Sequence, residues 1–219
     1  MSPIIQKLIK GFNDFRHHYF KERQGLYTHL VRHGQRPKVA VIACADSRVD
    51  PAIVLQVEPG DIFAIRNVAN LIPPYDDNDD QAYHGTSAAL EFAVTKLGVD
   101  HVVVFGHAYC AGIQAMIDAQ EGAPESGRFV RLWTSIAAKA YTRAQAENPD
   151  AQGEDLARCC EKEAVLVSLE NLRGYPFVED GLNAGTLEIH GWYLDIAKGE
   201  LSSYDPASKT FTTLTGTLT

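Results

Sequence analysis

No run of apolar residues in this 219-residue chain approaches the roughly 20 that would cross a bilayer. Met1 to Gly11 also lacks the apolar stretch and small-residue cleavage site of a secretory signal. A cytoplasmic protein without a membrane partner is therefore expected. Basic residues are in deficit, with 20 Lys and Arg against 28 Asp and Glu, and a net charge of −8. That balance excludes a nucleic-acid partner, which needs clustered Lys and Arg. Cysteine is scarce: four residues point to metal or catalysis rather than to a disulfide framework. The chain has no internal repeat, no linker and no glycine-rich phosphate loop. The acidic run Asp76-Asp77-Asn78-Asp79-Asp80 lacks the Gly and distal Glu of a calcium-binding EF-hand. What is left is an ordinary globular composition, 45% hydrophobic and 22% charged, of a length suited to one domain over 1–219.

Hydrophobic periodicity lays out the elements. Ile5, Leu8, Ile9, Phe12, Phe15 and Tyr19 recur at helical spacing, so residues 1–33 read as an N-terminal helical arm with one apolar face. Lys38 to Ala43, Asp61 to Ile65 and Val102 to Phe105 are short, β-branched apolar runs, hence buried strands. A Pro- and Asp-rich loop is expected over Ile72 to Asp80. Helices are expected over Gly85–Leu97, Cys110–Gln120, Arg128–Ala146 and Glu154–Leu172. Strands over Leu187–Tyr193 and Leu201–Tyr204 finish the chain. Strands separated by helices require crossovers, which predicts an α/β fold: a mainly parallel central β-sheet flanked by helices. Functional groups in such sheets sit beyond the carboxyl ends of strands.

Two strand ends carry chemistry of one kind. The first runs into Cys44-Ala45-Asp46-Ser47-Arg48, and the third into Gly106-His107-Ala108-Tyr109-Cys110. If these strands are adjacent and parallel, Cys44, His107 and Cys110 converge as two sulfurs and a nitrogen, a set that suits Zn2+. Three protein ligands leave the fourth tetrahedral position open, as a catalytic zinc requires. Asp46 and Arg48 fall on one side of the loop, where the guanidinium can grip the carboxylate with two hydrogen bonds. Cys159 and Cys160 are helical neighbours about 100° apart, so both cannot face one metal, and they read as packing. His17 and His18 read as solvated, and His190 as a core histidine.

The blocks Cys44-Ala45-Asp46-Ser47-Arg48, Glu58-Pro59-Gly60-Asp61, Arg66-Asn67-Val68-Ala69-Asn70, Gly106-His107-x-x-Cys110 and His190-Gly191-Trp192-Tyr193 together resemble the signature of the β-class carbonic anhydrases. The resemblance runs from about Gln35 to Tyr193. It implies zinc on Cys44, His107 and Cys110, with Asp46 and Arg48 as a catalytic dyad hydrating carbon dioxide to bicarbonate. It also implies that Asp46 can become a fourth ligand in a closed form. Gln35, Phe63 and Val68 match the substrate pocket of the plant-like subgroup, and Phe92 stands there in place of a tyrosine. A homodimer or a multiple of it is implied, with Gln35 and Phe63 facing the partner's zinc; the apolar face of the first helix points the same way. Ala111 replaces a usual glycine and is expected to tighten its turn. Val41 and Leu194 replace the aromatic residues of the bicarbonate-inhibited subgroup, so that regulatory site is not expected. Two other functions fit the same residues: hydrolysis of carbon disulfide, and a zinc-stabilised binding protein without catalysis. Intact Asp46 and Arg48 argue against the second.

Overall fold

The computed structural model describes residues 1–77, 84–124 and 127–214. Three helices open the chain: α1 (Pro3–His17), α2 (Tyr19–Glu22) and α3 (Gln24–His33). Pro3 suits the first turn of α1, where its missing N–H has no intrahelical partner to lose. None of the three helices buries a residue. Ile4, Leu8 and Phe12 on α1 stand exposed, while Phe15 stacks on Tyr19 and meets Tyr27 edge-on, tying α1 to α3.

The rest of the chain alternates as β1 (Val39–Cys44), α4 (Pro51–Val54), β2 (Ile62–Asn67), α5 (Gly85–Glu91), β3 (His101–His107), α6 (Ala111–Gln120), α7 (Arg128–Thr134), α8 (Ala138–Glu147), α9 (Gly153–Arg173), α10 (Pro176–Asn183), β4 (Glu188–Asp195), β5 (Glu200–Asp205) and β6 (Thr210–Thr213). The strands form one sheet in the order β2-β1-β3-β4-β5-β6, parallel from β2 to β4 and antiparallel beyond. This is the predicted α/β architecture. Side chains alternate across the sheet: Val41, Ala43, Val103 and Phe105 join one core, and Ala40, Ile42, Val102 and Val104 the other. Both faces are covered, which is why β1 and β3 read as unbroken apolar runs. No helix among the described residues is long and apolar enough to cross a membrane.

Several elements depart from the periodicity. The helix expected over Arg128–Ala146 is interrupted by a 3-10 turn at Ser135–Ala137. The last turns of the one expected over Gly85–Leu97 widen to π geometry from Phe92. Helices α4 and α10 escaped the sequence reading because they are short. Strand β6, Thr-Phe-Thr-Thr, escaped because an edge strand half open to water needs no apolar run. The acidic run at 76–80 extends outside the described residues. Glycine is required at Gly106, where a Cβ would lie 2.5 Å from Val165 Cγ2 of α9. That close approach seats α9 directly behind the end of β3.

Candidate metal centre

Cys44 is the last residue of β1 and His107 the last of β3, and these strands are parallel neighbours. Cys110 follows at the residue before α6. The Cys44 and Cys110 sulfurs are 4.0 Å apart, far beyond a disulfide's length, and both cysteines are free. With a ligand nitrogen of His107 they form a group whose atoms all lie within 4.8 Å of one another, all three residues buried. His107 Nδ1 lies 2.8 Å from the Ala108 carbonyl, which can only accept, so Nδ1 carries the proton. That leaves Nε2 with a free lone pair, buried and without a hydrogen-bond partner. An orphaned imidazole nitrogen beside two sulfurs is what a tetrahedral zinc ligand set looks like, since ligands about 2.3 Å from such an ion sit about 3.8 Å apart.

The surroundings favour the ligating form of Cys44. Cys44 Sγ lies near the Cys110 sulfur and accepts the backbone N–H groups of Ala69 at 3.3 Å and Asp46 at 3.5 Å. The Cys110 contact and these donors hold the Cys44 thiol well below its ordinary pKa, against the opposing effect of burial. Cys110 is pushed up by the neighbouring Cys44 sulfur and by burial, so without a metal the two hold one proton between them. Burial pulls the His107 pKa down, and the Cys44 sulfur, the Ala108 carbonyl and Asp46 together raise it above its ordinary value. A dication facing both sulfurs would displace the shared proton.

Asp46 and Arg48 meet as the spacing predicts. Arg48 Nε and NH2 donate to the two Asp46 oxygens at 3.0 and 2.7 Å, and the Arg48 backbone N–H adds a third bond at 2.9 Å. Arg48 therefore holds the carboxyl far below the usual range. The second guanidinium of the site was not anticipated. Arg66, at the end of β2, donates to the carbonyls of Cys44 and Asp46 and to Asp50, whose other oxygen caps α4. This clamp shapes the loop that carries Cys44 and Asp46. Asn67 bonds Leu71 through both its amide groups, spanning Ala69 and Asn70, which sit at φ 65° and 49°. That strained turn aims the Ala69 N–H at Cys44.

Two further residues were missed. Tyr109 adopts φ 59°, gives its carbonyl to Arg48 at 3.0 Å, and lies under the Arg158 guanidinium at 3.9 Å. Glu161 of α9, 3% exposed, accepts the Cys110 N–H at 2.9 Å, Tyr193 Oη at 2.8 Å and Arg158 NH2 at 2.7 Å. A carboxylate on the apolar face of a helix, between Cys160 and Ala164, was the only signal of it.

Of the pocket residues, the structure brings Val68 to the metal group. It precedes Ala69, and its Cγ1 would lie 2.7 Å from a Cβ at Gly112. Gln35 precedes β1 and so lies at the amino end of the strand whose carboxyl end is Cys44. Phe63 sits on edge strand β2, packs on the opposite face of the sheet, and meets Phe92 with tilted rings 6.0 Å apart. Within one chain these three do not reach the metal group. Ala111 is exposed at the first position of α6. Val41 and Leu194 are buried in the core. Cys160 is buried and Cys159 half-buried. His190 is not a core residue as expected, because it stops half-exposed against His101.

Residues 39–201 match the family model described as carbonic anhydrase. The chain is 37% identical over 207 residues to beta carbonic anhydrase 3 of Arabidopsis thaliana, covering 94% of this chain and 79% of that protein. It is also 37% identical over 205 residues to a carbonic anhydrase of Synechocystis sp., covering 92% of this chain and 71% of that one. Among solved structures, the β-carbonic anhydrase CcaA superposes with a TM-score of 0.85 at 35% identity, over 99% of this chain and 94% of that chain.

Proposed function

The chain belongs to the β-class carbonic anhydrases, a family of lyases, and we propose that it reversibly hydrates carbon dioxide to bicarbonate and a proton with zinc on Cys44, His107 and Cys110. The observation that carries this reading is the buried, unpartnered Nε2 of His107 facing two sulfurs, beside an aspartate locked to an arginine. Zinc bound there would supply Lewis acidity and lower the pKa of a water at its open position.

The chain's own residues do the rest. Asp46, held far below the usual carboxylate range, is a poor base and stays an anion, so its task is to accept a hydrogen bond and orient the water. Arg48 keeps that carboxylate turned to itself and off the metal. Glu161 fixes the Cys110 backbone from behind. Carbon dioxide is uncharged and linear, so its pocket needs apolar walls and few donors. Val68 supplies one wall from the same chain.

Gln35, Phe63 and Phe92 are too far from their own metal group to take part, and they complete the pocket of a second copy in a homodimer or a multiple of it. The unburied apolar side chains of α1 and α3 support that assembly, since large exposed apolar patches mark interfaces. Stopped-flow carbon dioxide hydration, with elemental analysis on the same sample, tests the function. Cys44→Ser, His107→Ala and Cys110→Ser should each lose both zinc and activity. Full zinc retention in two of the three, or a zinc-loaded wild type without hydration, would refute it.

A further inference from the structure

At the opposite end of the sheet a second set of ligand-type side chains converges. His101 is the first residue of β3, and its register partner on β4 is Glu188, the first residue of that strand. His190 stands two residues further along β4, on the same face as Glu188. His101 Nδ1 and His190 Nε2 are 3.2 Å apart. Glu188 Oε2 lies 3.9 Å from the first and 3.8 Å from the second. The nearest point equidistant from these three atoms lies in their plane about 2.1 Å from each, close to the distance at which histidine and carboxylate bind zinc.

We propose that His101, His190 and Glu188 form a second metal site, independent of the Cys-His-Cys group, for a borderline divalent cation such as zinc. Two nitrogens and a carboxylate oxygen select such ions over magnesium or calcium, which need six or more oxygen ligands. Both imidazoles stand on neighbouring interior strands of the sheet, so their separation is set by the backbone before any ion arrives. The two nitrogens face each other and can hold at most one proton between them. The carboxylate is 70% exposed and free to close the remaining gap. Glu188 and His190 also line an open cavity of about 510 Å³ bounded by Arg173, Leu187 and Tyr204, which admits the ion and its water ligands. An ion here would staple the amino ends of β3 and β4, the two strands whose opposite ends carry His107 and Tyr193.

One surface pair could mimic this site. His29 and His33 lie one turn apart on α3, with tilted rings whose centroids are 4.6 Å apart. The test therefore uses full-length protein already carrying its tightly held zinc, equilibrated by dialysis against buffers of rising zinc concentration and analysed for metal content. Wild type and His33→Gln should take up a second equivalent at micromolar free zinc and melt at a higher temperature. His101→Gln should abolish that uptake, and Glu188→Gln, at an exposed position, should weaken it at least about tenfold. Absence of a second equivalent in the wild type would overturn the proposal. So would a second equivalent that disappears in His33→Gln while persisting in His101→Gln and Glu188→Gln.

Discussion

Glu161 holds Cys110 by its backbone: the carboxylate, almost fully buried on α9, accepts the Cys110 N–H at 2.9 Å. The same group takes hydrogen bonds from Arg158 and Tyr193, so three donors from three segments meet on one anion. Glu161→Gln can still satisfy Cys110 and Arg158 through its carbonyl oxygen, and Tyr193 Oη can turn to accept. It should cost about 1–2 kcal/mol. Glu161→Ala leaves the Cys110 N–H and Arg158 without partners and should cost about 3–5 kcal/mol. Urea denaturation of the zinc-bound protein measures both, and equal losses in the two variants would show that the network has no such role.

The Asp46–Arg48 pair makes a kinetic prediction. Asp46→Asn keeps the shape and can still accept a hydrogen bond, so zinc should stay bound. It removes the charge that orients the water, and hydration should fall by roughly 10²-fold or more. Arg48→Ala should resemble it, because an ungripped Asp46 is free to occupy the metal. Near-native turnover by Asp46→Asn at every pH would reduce Asp46 to a loop residue.

The same pair makes a prediction for stability against pH. Arg48 lowers the Asp46 pKa in the folded state relative to the ordinary value of about 3.9. A lowered carboxylate pKa stabilises the fold above the unfolded value, and that stability is lost as pH falls through the folded one. The stability gap between wild type and Asp46→Asn should therefore be constant from about pH 5 to 7 and shrink below about pH 4. A gap that stays constant into strong acid would mean that the ion pair contributes nothing.

Activity should rise through the alkaline range. Two thiolates cancel the charge of zinc, whereas three neutral imidazoles leave it intact. Ionisation of water should then need a pH above the value of about 7 known for the three-histidine carbonic anhydrase site. A rate profile already flat at neutral pH would contradict that charge argument.

Assembly can be tested through the first helix. Removing residues 1–17 strips Ile4, Leu8 and Phe12 from the exposed face of α1. The full chain should scatter light as a dimer or a multiple of one, and the truncated chain should have lower mass and activity. A full-length monomer with full turnover would rule out a pocket shared between subunits.

Much of the site could be read directly from the residues. Cys44, Asp46, Arg48, His107 and Cys110 sit at or just beyond the ends of two β-branched apolar runs, so recognising the strands was enough to place them together. The Asp46–Arg48 contact is local, because two residues of loop determine it. Glu161 was hidden for the opposite reason. Its partners lie 51 and 32 positions away, and nothing along α9 states that its one buried carboxylate will land under Cys110. Tyr109 was hidden because a positive φ in a non-glycine residue is imposed by its surroundings, here Arg48 and Arg158.

The strands other than β6, the parallel core and the ligand chemistry were thus determined by the sequence itself, since each depends on side-chain type and short-range periodicity. Only the tertiary structure decided which residues stay apart. It put Gln35, Phe63 and Phe92 out of reach of their own metal group, and it brought His101 against His190 across 89 positions. The physical reason is the pairing of β3 with β4. Helix α9 packs against Gly106 of β3 and Gly191 of β4, a contact between distant segments that no local pattern encodes.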